Sequence, residues 1–536
     1  MATSALPSRA PRLTTAEYEA LGQDKYRHKY KIAIAVTLAA VLELIDTSIV
    51  NVAIPHMMGN LGATVDEITW VSVGYIVANV IIIPMSGWLS GYFGRTRYLT
   101  GSILLFVVSS FFCGASTSLG MLVAWRVIQG IGGGALLSTA QSTLFEAFPP
   151  HEVAVGQAMF GIGVMVGPTI GPTLGGWITD NYNWPWIFYI NIPLGLIAAA
   201  MVWTYVKDSE HQERASTIDG TGIFLLAVCI GSLQWMLERG ERYDWFESRF
   251  ITTLGVTSLI SGALLIWREL TIDEPIINFR VLKSRQLSAG VAFASMLGLS
   301  LYGGIFVLPI FLQQLHGLSA SQTGFLLLPS ALTSAFVMAT MSRMRGKIDA
   351  RYTITIGAFG FLWSMWLMSR LTIDSGSNDI FWPLILRGFA LGLIFVPLTN
   401  ASMADLHPRD LAQGTGMFNL MRQLGGSLGI ATMATLLGRW TTAQRAILTE
   451  HVGATDPETL HRLEMLTRGA MSHGATAIEA KAQAVAILSR QIGVQASVIG
   501  FARIYLLNGI LLVSALPLLL IWRTGRARGA GGPPAH

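Results

Sequence analysis

The stretch Glu43-Leu-Ile-Asp-Thr-Ser-Ile-Val-Asn-Val-Ala-Ile-Pro55 closes a run, Ile32 to Pro55, that is otherwise almost wholly apolar. A helix needs about 20 mostly apolar residues to cross a bilayer, so this run reads as a span, yet it holds two carboxylates. The apolar pattern recurs along the chain. Of 536 residues, 52% are hydrophobic and 12% charged, with mean hydropathy +0.52; soluble globular chains carry roughly 25% charged residues. Fourteen spans are predicted, at 32–54, 68–90, 98–116, 120–145, 155–178, 186–206, 219–237, 250–267, 287–312, 321–342, 352–371, 379–402, 412–437 and 504–522. Backbone polar groups in lipid must be paired internally, and runs this long do so as helices. The expectation is an all-α polytopic membrane protein embedded in a lipid bilayer.

An even number of spans puts both termini on one side. With the N-terminus inside, 22 of the 36 Lys and Arg fall in the cytoplasm and eleven outside, seven of these in one long loop. Charges in long loops count little towards orientation. Arg126, Arg387 and Arg422 fall within spans. Both termini are therefore expected in the cytoplasm: a tail ending Lys25-Tyr-Arg-His-Lys-Tyr-Lys31, and a tail carrying Arg523, Arg526 and Arg528. The net charge of +5 reads as a topology and headgroup signal, not a nucleic-acid footprint. The first 31 residues are polar, with no cleavable signal visible. Cys113 and Cys229 both lie in predicted spans, so neither a disulfide framework nor a metal cluster is expected. Without a Walker loop or a dinucleotide fingerprint, no cofactor is expected, and an ion gradient is the expected energy source.

Sliding the chain against itself by 258 residues aligns Gly130 with Gly388, Gly134 with Gly392, Pro150 with Pro408, Gly156 with Gly414, Met159-Phe160 with Met417-Phe418, Gly167 with Gly425 and Gly171 with Gly429. The fourth and fifth spans thus map onto the twelfth and thirteenth in the same orientation, predicting two parallel six-helix halves with a two-helix insert. The boundaries read as a cytoplasmic tail 1–31, an N-terminal bundle 32–206, an insert with its loops 207–285, five helices of the second bundle 286–437, an outer helical segment 438–502, a last span 503–522 and a tail 523–536. In such repeats the substrate site lies near the midplane between the halves. The outer segment either docks a partner or caps the exit; Asp456 with Pro457 reads as a helix start inside it.

Glu43 and Asp46 are three residues apart and share a helix face. Asp46 lies nine residues from the outer end, about 13 Å deep, where an acid costs about 2.5–3.5 kcal/mol. Such a residue faces a cavity or an ionic partner, and a carboxyl poised between burial and a cation can load and release a proton. The alternative is a structural acid pinned to another helix. Arg126 sits at similar depth, cannot shed its proton, and is inferred to pair with Asp46. Arg387 corresponds by the repeat to Gln129. With Arg422 and Gln423 it makes the second half of the cavity polar and positive, so anionic or polar substrate groups are admissible. Asn51, Tyr75, Asn79, Gln129, Tyr302 and Asn400 are candidate cavity residues; each singly is more simply read as helix packing. Gly163, Gly167, Gly171 and Gly175-Gly176 with Pro168 and Pro172 suit close helix approach and bending at a moving interface. Gly87, Gly94, Arg95 and Arg97 mark a short cytoplasmic turn.

Taken together these motifs resemble the fourteen-helix drug:proton antiporters of the major facilitator superfamily, of the EmrB type, over nearly the whole chain. The residues that carry the resemblance are Leu44 through Pro55, Arg126 with Gln129-Gly130, the Gly161–Gly176 run, Trp186-Ile-Phe-Tyr-Ile-Asn-Ile-Pro-Leu-Gly195, Leu237-Glu-Arg-Gly240 with Asp244-Trp-Phe246, and Phe279-Arg-Val-Leu-Lys-Ser-Arg285. The resemblance implies a major facilitator fold and proton-driven export of hydrophobic drugs from a bacterial inner membrane. Asp46 would be the coupling acid and Arg126 would tune it. A periplasmic membrane-fusion adaptor and an outer-membrane channel would be partners, with the outer segment fitting that subgroup. Three departures stand out: Gly91 occupies a place where the wider superfamily usually has Asp, Glu43 is outside the usual first-helix signature, and the loop Pro149-Pro-His-Glu-Val lacks the basic residues often found there. Glu43 would be a second protonation site or a substrate contact. The alternative reading is an exporter of one defined metabolite or organic anion; a receptor, scaffold or membrane enzyme fits the intramembrane charges less well.

Overall fold

A computed structural model describes residues 26–208, 218–344, 348–453 and 456–522. Most of the expected N-terminal tail and the whole C-terminal tail lie outside the described residues. Long helices stand at all fourteen expected positions, here labelled α1 (Lys29–Leu61), α2 (Trp70–Phe93), α3 (Arg95–Gly114), α4 (Leu119–Ala147), α5 (Val153–Asn181), α6 (Trp186–Tyr205), α7 (Gly220–Arg239), α8 (Arg249–Thr271), α9 (Arg285–Leu315), α10 (Ala320–Arg343), α11 (Ala350–Met368), α12 (Ser377–Met403), α13 (Leu411–Glu450) and α14 (Ala477–Ser514). By length and composition twelve are apolar enough to cross a membrane; α11 and α13 fall outside that set. Their packing matches that of their repeat equivalents α3 and α5, as the contact pattern below shows.

Local chemistry starts these helices. Ser118, Asp219, Ser284, Ser319 and Asp349 each accept a backbone N–H in the first turn of α4, α7, α9, α10 and α11, satisfying donors that have no intrahelical partner.

The repeat is visible in the packing. In the first half α1 packs on α5, α2 on α4, α3 on α4 and α6, and α1 on α6; in the second, α9 packs on α13, α10 on α12, α11 on α12 and α14, and α9 on α14. The halves meet through α5 against α10 and α2 against α13, pairs that exchange under the repeat. Its glycines are the contact points. A Cβ on Gly134 would lie 2.5 Å from the Asn79 carbonyl oxygen, and one on Gly392 would lie 2.7 Å from Val337 Cβ; Asn79 and Val337 are themselves 258 residues apart. The insert lies against the α2–α13 seam, where Gln234 donates to Ser427 (2.8 Å) and Trp245 to Thr435 (2.9 Å).

The outer segment expected at 438–502 is helical and largely made of extensions of its two flanking helices. Helix α13 runs unbroken through 437 to Glu450, and α14 begins at Ala477, well before 504. Between them Pro457–Ser472 forms a helix capped by Asp456. Hydropathy marks where lipid-compatible sequence ends, but a helix stops only where a cap or breaker stops it.

Candidate functional site

Asp46 is fully buried among five helices. It accepts hydrogen bonds from Arg126 Nη1 at 2.5 Å, Gln129 Nε2 at 3.0 Å and Asn191 Nδ2 at 2.9 Å. Arg126 and Gln129 are three apart on α4 and so reach the same point. Arg126 Nη1 also donates to Gln129 Oε1 (2.7 Å), its Nε donates to the Val71 carbonyl (3.0 Å), and its guanidinium lies 4.1 Å from the Tyr75 ring centroid. Ser110 on α3 accepts from both Gln129 and Asn191. Gly130 lets α2 come this close, since a Cβ there would sit 2.4 Å from the Tyr75 carbonyl oxygen. An acid and a guanidinium in so dry a place are tolerable only with every lone pair and donor engaged; protonating the acid would release the pair.

One turn further inward, Glu43 Oε1 accepts from Asn79 (2.9 Å) while its buried Oε2 has no hydrogen-bond partner among the described residues. Arg422, in the other half, acts on it electrostatically. Arg422 Nη2 donates to Asn419 (3.0 Å), whose amide donates to Gln141 on α4 (2.6 Å). A polar chain thus crosses the seam below the acids. Arg422 Nε and Nη1 have no hydrogen-bond partner among the described residues.

Tyr75, Asn79 and Gln129, expected as cavity residues, are buried and take part in these two carboxylate networks. Asn51 is exposed and bonded to Ser72 (3.3 Å). Tyr302 packs against Gly426, and Asn400 and Gln423 are half-buried; none of these four touches the acids. Arg387 is apart from them as well, in a cavity between α5, α9, α10 and α12.

The glycines of α5 chiefly meet α1: Gly163 meets Thr37 and Val41, Gly167 meets Leu44, Gly171 meets Ser48, and Gly175 meets Ile49. This seam lies behind Asp46. Gly161, against Met338 on α10 and Phe395 on α12, and Gly176, against Ser321 on α10, sit at the junction of the halves, while Pro168 lines the cavity. In the α2–α3 turn, Gly94 has φ +84°, a conformation glycine adopts without strain. Gly87 packs on the Ala412 backbone, Arg95 pairs with Glu146 at 2.6 Å, and Arg97 is exposed. Asp208 accepts the Thr96 N–H (2.9 Å), so carboxylates from the ends of α4 and α6 serve this turn although Gly91 supplies none.

Sequence reasoning missed Ser110, Asn191, Glu146, Asp208 and Gln141. Asn191, Gln141 and Ser110 carried a signal, as polar residues inside the apolar runs 186–206, 120–145 and 98–116.

Residues 36–430 match the Major Facilitator Superfamily. The chain belongs to that superfamily. It is 34% identical over 509 residues to the multidrug export protein EmrB of Escherichia coli, covering 94% of this chain and 97% of that one. It is 32% identical over 503 residues to the fatty acid resistance protein FarB of Neisseria gonorrhoeae, with the same coverages. The human organic anion transporter MFSD10 shares the fold, with a TM-score of 0.57 at 14% identity over 90% of this chain and 99% of that one. The chain is therefore a transporter of the EmrB type, a multi-pass protein of a bacterial inner membrane.

Proposed function

We propose that this major facilitator transporter is a proton-coupled multidrug efflux antiporter that exports hydrophobic and amphipathic compounds. The observation that carries the reading is Asp46, a buried acid whose only charged partner among the described residues is Arg126 at 2.5 Å. Protonation from the outer side neutralises Asp46 and frees Arg126, which then leans on Val71 and Gln129 alone. The loss of one ion pair across α1 and α4 changes which packing of the first half is favoured, and the carrier turns inward. Substrate arriving from the cytoplasm or inner leaflet accompanies release of the proton, and the carrier turns outward again. Glu43, with one oxygen free and Arg422 opposite, is a second protonation site on the same path. The chain itself needs no cofactor beyond the gradient. The outward extensions of α13 and α14 with the helix between them suit docking to a periplasmic adaptor, and through it to an outer-membrane channel, making this the inner-membrane part of a tripartite pump.

The test is drug uptake into inside-out vesicles driven by a proton gradient. Asp46→Asn is expected to fold and lose gradient-driven uptake at least tenfold, and Glu43→Gln to change the number of protons per drug. An Asp46→Asn variant that still follows the gradient would make the Asp46–Arg126 pair structural.

A further inference from the structure

A groove of about 530 Å³ runs along the first half between α2, α3 and α4. Met85 and Leu89 line it on α2, Leu105 on α3 and Ile131 on α4, and Tyr92 and Arg97 stand at its mouth beside the α2–α3 turn. Tyr92, Leu105 and Ile131 are exposed, so this side of the bundle faces lipid and lies away from the space between the halves. Gly101 forms the floor, where a Cβ would meet nothing within 4 Å.

The equivalent place in the second half is built differently. Aligning the first residues of α3 and α11, Arg95 and Ala350, puts Tyr352 opposite Arg97 and Ile356 opposite Gly101, and both of those side chains are exposed. The second half therefore keeps neither the cation nor the open floor. The charges at the mouth of the groove are unevenly committed. Arg95 pairs with Glu146 at 2.6 Å, and Asp208 accepts the Thr96 N–H at 2.9 Å. Arg97 is exposed, and no hydrogen bond or ion pair joins it to any of the described residues.

We infer that this groove holds one anionic phospholipid of the cytoplasmic leaflet, its phosphate on Arg97 and one acyl chain lying over Gly101 against Leu105 and Ile131. The dimensions agree. Arg97 and Leu105 are eight residues apart on α3, about 12 Å along the helix, against about 15 Å for the half of the hydrocarbon core that belongs to one leaflet. Arginine binds phosphate oxygens through charge-assisted, often bidentate hydrogen bonds. Tyr92 stands at headgroup level, where amphipathic rings anchor. A zwitterionic lipid would bring its own ammonium group to the same guanidinium and gain less. The groove also adjoins a working part: the inner end of α2, which forms one wall, carries Gly87 against the Ala412 backbone of the other half.

The test titrates the purified, delipidated full chain in detergent and reads bound lipid by native mass spectrometry. The probes are palmitoyl-oleoyl phosphatidylglycerol and the phosphatidylcholine with the same chains. Wild type is expected to take up a first phosphatidylglycerol at least fivefold more tightly than a first phosphatidylcholine. Arg97→Gln should bring the two within twofold of each other, and Arg97→Lys should keep part of the difference. Gly101→Phe fills the floor and leaves Arg97 in place, so it should weaken the first phosphatidylglycerol at least fivefold with the unfolding temperature unchanged; Ile131→Trp, from the opposite wall, should do the same. Glycerol 1-phosphate in hundredfold excess should fail to displace the lipid. Equal uptake of the two lipids by wild type would overturn the assignment. Undiminished phosphatidylglycerol uptake by both filled-groove variants would reduce Arg97 to a diffuse surface attraction, and displacement by glycerol 1-phosphate would make the occupant a soluble phosphate; either result would sink the lipid site.

Discussion

Arg126 contacts Val71, Asp46, Gln129 and Tyr75 from one side chain, and that geometry explains why lysine cannot replace it. Its Nε reaches Val71, its Nη1 reaches Asp46 and Gln129, and its plane lies over Tyr75. A lysine keeps the charge but presents a single point of donors without the planar fork. Arg126→Lys is expected to fold, with gradient-driven efflux reduced at least tenfold in vesicles. Arg126→Leu leaves Asp46 buried without its cation and should cost about 3–5 kcal/mol, read as a fall in unfolding temperature; Arg126→Leu/Asp46→Asn should recover part of that stability. Asn191→Ala removes one donor to Asp46 and should cost about 1–2 kcal/mol, a clear loss in the same unfolding assay.

At the scale of elements, close helix approach is the recurring device, and the glycines differ in what they permit. A Cβ at Gly388 would lie 2.1 Å from the Ser330 carbonyl oxygen and one at Gly425 2.0 Å from that of Ser295. Both neighbours are backbone and cannot rotate away, so Gly388→Ala and Gly425→Ala should each cost about 1–3 kcal/mol and lower the unfolding temperature. Gly101 and Gly120 have open space at that position, and alanine there should leave the unfolding temperature unchanged. The outer helices rest on capping carboxylates. Hydrogen bonds from Thr459 hold Asp456 below its usual range, and those from Thr476 do the same for Glu479. A depressed folded pKa means the caps stabilise at neutral pH and fail as pH falls below about 4. Spin labels on Leu460 and Lys481 are expected to be ordered at pH 7 and to gain mobility near pH 3.

At the scale of the molecule, the halves are joined at their inner ends by Gly87 on the Ala412 backbone and by the Gln141–Asn419 bond. Alternating access requires these contacts to separate. In a protein lacking Cys113 and Cys229, a Gly87→Cys/Gln413→Cys pair bridged by a short thiol-reactive linker is expected to lose at least nine-tenths of its efflux and regain it when a cleavable linker is cut. Undiminished efflux by the bridged protein would mean that this seam does not open during transport.

Much of this was legible in the chain. Long apolar runs determine spans because lipid leaves the backbone no other partner. The 258-residue repeat determines that contacts come in exchanged pairs, and the depths of Asp46 and Arg126 point to one another because isolated intramembrane charges are costly. Other features lay beyond any one-dimensional signal. Tyr75, Asn79 and Gln129 became network residues because α2 and α4 approach closely at Gly130, and Asn191 joined them from a helix 145 residues away from Asp46. The α13 and α14 extensions continue past the apolar limit because nothing in them stops a helix. By itself the sequence determined the helices, their pairing and the acid; only the tertiary structure decided which polar groups are satisfied by neighbours and which, like Arg387, are left to face a cavity, since that depends on side chains converging from helices far apart in the chain.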